Sequence, residues 1–300
     1  MTGLHVVPLH DTRASGWADQ VHEDLATVGT SAASGILADD EVRELARFVD
    51  EAVEVDDAWI PADRWDHEHG RVVFLPTYGD RPLRLLEDDA IVGPCDRLME
   101  PGSTLYTMTT SCNEAHSGGR PMHVDTHIDL GKPLVLGLLV LLDDFNEHTG
   151  STRILPGVRS EAPSAEEFER DALRLEAPAG SVCWFDGRLY HDATANHSDH
   201  RRRCIILAMI RPFVRPRFDL AQMVGHLAPE SFSAAIRQRL GFPLLPPGSY
   251  EDYYLPAAER EARLVEAGRH RSRREARRPA PLSVPGQAGD VTVTSTAAPR

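Results

Sequence analysis

From about residue 103 to 214 the chain breaks into short apolar or alternating runs, separated by glycine, proline and acidic residues. The runs are Leu105 to Ser111, Pro121 to Asp129, Leu134 to Leu142, Ser151 to Leu155, Ala172 to Glu176, Ser181 to Phe185 and Cys204 to Phe213. Runs this short, punctuated by turn residues, read as β-strands, and a succession of them predicts a double-sheet jelly roll. The stretch from Pro133 to Leu142 is the most apolar and reads as a buried strand. It is too short to cross a membrane and runs directly into Asp143-Asp144.

Helices are expected beside this sheet. Val42, Leu45, Ala46, Phe48, Val49 and Val53 recur at helical spacing, so residues 39 to 54 read as an amphipathic helix with Asp39 or Asp40 as its cap. A second helix is expected over 84 to 100, before Pro101-Gly102, and a short one around Trp17 to Leu25. Residues 218 to 266 read as helical but irregular. The predicted fold is therefore α+β and mainly β: a double-stranded β-helix of jelly-roll or cupin-like form, flanked by helices. Three parts are expected: a loose lead-in over 1–34, one domain over 35–267, and a disordered tail over 268–300, where Pro, Ala, Gly, Ser and Thr leave little to bury.

Within the strand region, Pro121-Met122-His123-Val124-Asp125 places a histidine and a carboxylate two apart. On a strand such side chains point the same way and can reach one metal ion. His191 lies 66 residues beyond Asp125. Two histidines and a carboxylate can cap one face of an octahedral ferrous ion and leave the other face open. The arginines at 201, 202 and 203 follow, and a guanidinium offers a rigid fork for a carboxylate. Neighbouring strand residues face opposite sides, so only part of this run can point inward. Open metal positions beside a carboxylate anchor suggest oxygen activation with a small keto acid. A bare His-x-Asp is weak, because a chain with 14 histidines and 46 acidic residues produces several by chance.

The surrounding segments resemble the phytanoyl-CoA dioxygenase family. Asn146 to Ser160, with its Arg153, Pro156-Gly157 and Arg159-Ser160, is similar to that family's Asn-Gly…Arg…Pro-Gly-Ser-His stretch. Ala179 to His191 resembles the strand and turn leading into its second iron histidine, and His191 to Ser198 resembles its His-Gly-Ser-Gly-x-Asn-x-Ser. Gly35 to Leu45 resembles its opening strand and helix. The resemblance covers about residues 25 to 230, in matching order.

It implies an enzyme in which His123, Asp125 and His191 hold Fe(II). The cosubstrate 2-oxoglutarate would chelate the iron, its far carboxylate would meet Arg202, and O2 would take the remaining position. The family's arginine follows the distal histidine by eleven residues, which selects Arg202 and leaves Arg201 and Arg203 on the outer face. Hydroxylation of an unactivated C–H bond, with release of succinate and CO2, is the implied outcome. Halogenating relatives lack a carboxylate at the position of Asp125, so its presence argues for oxygenation. One departure is Asp192-Ala193 in place of Gly-Ser after the distal histidine. Thr194 or Ser198 is then expected to supply the hydroxyl that contacts the cosubstrate. Tyr106 and Thr109, on the preceding strand, are further candidates for that contact.

For substrate, His127 shares the face of Asp125 if the strand stays regular. Arg120, His116 and Asn113 sit on the loop before the motif, where specificity commonly resides. Arg153 and Arg159 are either structural or meet an anionic substrate. His67 and His69 read as a solvated loop. The expected partner is a small molecule, a natural-product scaffold or free amino acid, taken by a monomer or homodimer.

Net charge of −14 argues against a nucleic-acid or anionic-membrane partner. The N-terminus lacks the basic-then-apolar pattern of a signal peptide, so a cytoplasmic protein is expected. Cys95, Cys112, Cys183 and Cys204 show no paired spacing and read as reduced thiols. There is no Gly-x-Ser-x-Gly elbow and no phosphate-cradling Gly-Lys loop. Two alternatives stay open: a metal enzyme using the same triad without 2-oxoglutarate, and a binding module with a vestigial site.

Overall fold

The apolar stretch near residue 138 is the spine of the molecule. In the computed structural model, β1 (Leu9–Asp11), β2 (Thr30–Ser34), β8 (Val182–Asp186), β5 (Val135–Leu141), β10 (Arg202–Ile210) and β3 (Thr104–Asn113) lie side by side in that order. A second sheet holds β4 (Arg120–His123), β9 (His191–Ala193), β6 (Thr152–Ile154) and β7 (Leu173–Arg174). All pairings are antiparallel except that of β1 with β2. The structure describes residues 6–266 apart from 59, 62, 66–68, 100, 101, 245, 246, 248, 257, 261, 264 and 265. The segment 268–300 and His67 lie outside the described residues.

β5 lacks alternation because both of its faces are covered. Leu136, Leu138 and Val140 pack into one cluster with Leu45 and Val49 of α2 (Asp39–Asp57) and Ile91 and Cys95 of α3 (Asp89–Met99). Leu139 and Leu141 point the other way and join Ile154 of β6 and Leu173 of β7 in a second cluster. β8 divides its residues in the same manner, Val182 and Trp184 to the helices, Cys183 and Phe185 to the small sheet. The Trp184 indole donates to the Ile91 carbonyl at 2.8 Å, so its polar edge is satisfied in the core. Leu138, fully buried, is a position where truncation to Ala costs about 2–5 kcal/mol.

The helices follow the predicted faces with three corrections. α2 buries Val42, Leu45, Ala46, Val49, Ala52 and Val53, but its N-cap is Ala38, with no side-chain cap bond. Asp39, Asp40 and Glu41 instead fill the first turn, where negative charge complements the helix dipole. The helix expected over 84 to 100 is split. A 3₁₀ turn covers Arg81–Leu86, and α3 begins only after Asp88, whose carboxylate accepts from the Ala90 N–H at 2.8 Å. α1 (Trp17–Thr27) lies close to the expected range, but residues 1–34 are not a loose lead-in. β2 pairs with β8 from Thr30↔Phe185 to Ala33↔Val182, so this segment is part of the main sheet. Its Thr-Ser-Ala-Ala-Ser sequence lacks large apolar residues, which is why it did not read as a strand.

The strand expected over Pro121 to Asp129 ends at His123. The chain turns there because the N–H groups of Asp125 and Thr126 both donate to the Gly187 carbonyl, at 2.9 and 3.0 Å. Among the described residues no helix is long and apolar enough to cross a membrane. All four cysteines are buried free thiols, as expected.

Candidate metal centre

His123 and His191 are direct cross-strand partners in the β4–β9 register, with ring centroids 4.2 Å apart. Asp125 is held beneath them by the two bonds to Gly187. The candidate ligand atoms of His123, Asp125 and His191 all lie within 4.8 Å of one another, a cluster tight enough for one ion to draw together. Asp125 reaches the site from a turn and not from the strand-face alternation expected.

Both rings are oriented alike. His123 Nδ1 lies 3.0 Å from the Pro121 carbonyl, and His191 Nδ1 lies 3.0 Å from the Leu189 carbonyl. A carbonyl only accepts, so each Nδ1 carries the proton and each Nε2 keeps its lone pair free for a metal. Burial pushes the His191 pKa below its ordinary value, opposed by the nearby Asp125 carboxylate. The neutral, metal-binding form is thereby favoured.

Two glycines make room for this arrangement. A Cβ on Gly187 would sit 3.3 Å from the Asp125 Cβ and 3.2 Å from the Val135 Cβ, under the turn that carries the carboxylate. A Cβ on Gly137 would overlap the Phe185 ring, at 2.2 Å from its Cζ. Phe185 in turn packs on His191 with centroids 4.8 Å apart. Sequence reasoning missed both positions; Gly137, an interruption in an otherwise continuous Leu/Val run, was the available signal.

The triad opens into a cavity of about 700 Å³. Arg202 lines it, 1% exposed, with its guanidinium stacked on Phe145 at 4.1 Å. Its Nε and Nη1 have no hydrogen-bond partner. Burial pushes its pKa down, but a guanidinium remains charged at neutral pH. An unpaired buried cation is costly, several kcal/mol on order-of-magnitude grounds, so the site is built for an anion. The neighbouring arginines behave differently. Arg203 pairs with Asp143 and Asp50, and Arg201 with Asp50 and Glu114, on the outer face as the alternation requires.

Other candidates divide. Tyr106, Thr109 and Arg120 line the cavity. Thr194 does not: its hydroxyl accepts from the Ser151 N–H at 2.8 Å and fixes the loop. Ser198 is likewise committed, donating towards Asn196 at 2.7 Å and the His200 carbonyl at 3.1 Å. His127 is exposed in the loop after the strand end and does not reach the cavity. His116 is exposed and paired with Asp199, and Asn113 is buried outside the lining. Arg153 pairs with Asp192 and Glu169, and Arg159 with Glu167, so both are structural. Asp192, where the family has glycine, is thus neutralised while it lines the cavity. Arg71, Arg215 and Arg217 line the cavity and were not anticipated.

The donor set and the orphaned guanidinium fit a ferrous ion and a keto acid. Comparison with known proteins agrees. An uncharacterised protein of Mycobacterium tuberculosis is 28% identical over 127 residues, 42% of this chain and 46% of that protein. L-proline trans-4-hydroxylase of Streptomyces griseoviridis is 24% identical over 162 residues, covering 41% of this chain and 60% of the relative. The chain thus spans about half the length of the curated relatives it matches. Among solved structures, the non-haem alpha-ketoglutarate-dependent carbocyclase SnoK from nogalamycin biosynthesis shares the fold, with a TM-score of 0.52 at 17% identity over 64% of this chain and 83% of that one. The family model for phytanoyl-CoA dioxygenase (PhyH) matches residues 27–204, more than half of the sequence. The chain belongs to the phytanoyl-CoA dioxygenase family.

Proposed function

We propose that the chain is a non-haem Fe(II)- and 2-oxoglutarate-dependent dioxygenase that hydroxylates an unactivated C–H bond of a small molecule. Its two sheets would form the double-stranded β-helix that carries such sites. The observation that supports this reading best is the buried, unpartnered guanidinium of Arg202 in the same cavity as the His123–Asp125–His191 cluster. A metal enzyme that does without a keto acid has no need of such a cation. Family membership and the hydroxylase among its relatives point the same way.

In this reading, ferrous iron and 2-oxoglutarate supply the oxidising chemistry, coupling reduction of O2 and loss of CO2 with succinate formation to hydroxylation of the substrate. The residues of the chain do the rest. His123 and His191 present Nε2, fixed by the carbonyls of Pro121 and Leu189. Asp125 adds the third ligand and half of the charge needed to balance a divalent cation. Arg202 takes the far carboxylate of the cosubstrate in its fork, and the Phe145 ring keeps that fork in plane. Ile206, Ala208 and Ile210, on the same face of β10, form an apolar bed that excludes water from the reacting carbon.

The test is succinate release from 2-oxoglutarate by the purified protein. Release that requires both Fe(II) and O2, and is lost in His123→Ala, is expected. Release independent of iron, or none in any condition with iron demonstrably bound, contradicts the reading.

A further inference from the structure

The chain carries 46 acidic residues against 32 basic ones, so carboxylates are available to pair with its arginines. Arg153, Arg159, Arg188, Arg201, Arg203 and Arg239 are all in ion pairs. Beside Arg202, the arginines that line the cavity are Arg71, Arg120 and, just beyond β10, the pair Arg215 and Arg217. Both line it, both are exposed, and neither has a carboxylate partner among the described residues. The one contact of note is Arg217 over the ring of its neighbour Phe218, at 5.5 Å.

Their position separates them from Arg202. β10 runs from Arg202, opposite Asn113 of β3, to Ile210, opposite Val135 of β5. The Val135 carbonyl accepts from the Gly187 N–H, and Gly187 supports Asp125. The metal cluster therefore sits towards the Ile210 end of the strand. Arg215 and Arg217 follow five and seven residues later, beyond that end of the strand, whereas Arg202 opens it. The lining also holds the apolar Leu134, Ile206, Ile210 and Val214, with hydroxyls from Tyr106, Thr107 and Thr109 of β3. Ile128, at the edge, is 56% exposed.

The acidic lining residues are Asp125, in the cluster, and Asp192, held by Arg153. Neither is free to receive an ammonium group. We propose that the substrate is an amphipathic anion, an apolar body bearing a carboxylate or phosphate group, and that Arg215 and Arg217 bind that group at the outer end of the cavity. This rests on reading the cavity as the active site. It narrows the substrate class towards acids and away from free amino acids, whose ammonium group would find no uncommitted carboxylate in the lining. The net charge of −14 hides this feature, because a local field is set by the groups that face the cavity.

The experiment uses two fluorescent probes with the same aromatic body: 8-anilinonaphthalene-1-sulfonate, an anion, and N-phenyl-1-naphthylamine, which is neutral. Each is titrated into the full chain, wild type and Arg215→Gln/Arg217→Gln, with and without Fe(II) and 2-oxoglutarate under anaerobic conditions. In the double variant the anionic probe is expected to bind about tenfold more weakly, as two exposed guanidiniums of a few-fold each would give. The neutral probe should bind both proteins alike, which shows that the apolar bed is intact. Equal binding of the anionic probe to both proteins overturns the proposal, and so does an equal loss of both probes. The iron–cosubstrate absorption band is read in the same samples. If it is absent while the charge discrimination persists, the oxygenase reading fails and the anion site stands.

Discussion

The two faces of β10 carry the same chemistry in different settings. On the outer face, Arg201 and Arg203 reach Asp50, Asp143 and Glu114 and are only partly buried. On the inner face, Arg202 is sealed against Phe145 with two of its nitrogens unsatisfied. Three consecutive arginines thus separate into two structural cations and one that lacks its counter-ion. Folding has already supplied partners for the outer pair. The inner cation is left for a ligand, and the cost of leaving it so is the physical signature of a binding site.

The largest effect that could break this contrast comes from the metal cluster on the same cavity. His191→Ala should lower Fe(II) affinity by more than about 100-fold, since even outer-shell changes cost 10–100-fold; equilibrium dialysis with a chromogenic chelator reads it. Retained affinity would mean that the cluster is not the metal site.

Next comes the arginine pair itself. Arg202→Met should weaken 2-oxoglutarate binding by about 2–4 kcal/mol, roughly 30- to 1,000-fold, by removing a buried carboxylate partner. Without cosubstrate the same change should raise the melting temperature, because it deletes an unpaired buried charge. Arg203→Met should do the reverse. It leaves cosubstrate binding unchanged and destabilises the protein by about 1–2 kcal/mol through loss of the partly buried Asp143 pair. Thermal melts of both variants, with and without 2-oxoglutarate, decide the matter, and similar behaviour of the two would erase the distinction.

A smaller effect tests the support under His191. Gly137→Ala drives a methyl into the Phe185 ring, and overpacking of this kind costs about 1–3 kcal/mol. Because Phe185 lies against His191, iron affinity should fall together with stability. Phe185→Leu in the Gly137→Ala background should recover part of both, and a loss of stability alone would uncouple the ring from the site.

The smallest effect concerns how dry the inner face is. Cys204 lies two residues from Arg202 on the same face and is 2% exposed. Burial pushes its pKa up, and it pushes those of Cys112 and Cys183 up to about 12. A thiol with a pKa near 12 has about one part in 10⁴ as thiolate at pH 8. Native protein should therefore resist iodoacetamide at pH 8, and its buried thiols should react once the protein is unfolded. Rapid modification of Cys204 in the native state would show that water reaches the arginine.

Much of this was legible beforehand. Strand alternation required the three arginines to divide between two faces and the resemblance to the phytanoyl-CoA dioxygenase family picked Arg202, just as it singled out the His-x-Asp pair and its distant histidine as the cluster. The less legible parts depend on contacts remote in sequence. Asp125 is placed by Gly187, 62 residues later, and not by regular strand geometry, so His127 did not inherit its face. Thr194 and Ser198 had the right chemistry, but their hydroxyls were already engaged by Ser151, Asn196 and His200. β2 was hidden because small residues suit a strand covered on both sides without announcing one. The basic rim of the cavity was masked by the acidic average.

The most direct test of the central claim is an anaerobic titration of metal-free protein with Fe(II) and 2-oxoglutarate, following the visible charge-transfer band of the chelated keto acid. The account predicts a band that saturates in the wild type, is absent in His191→Ala, and needs far more 2-oxoglutarate in Arg202→Met but not in Arg203→Met. Iron binding without a band, or equal cosubstrate demand in the two arginine variants, would contradict it.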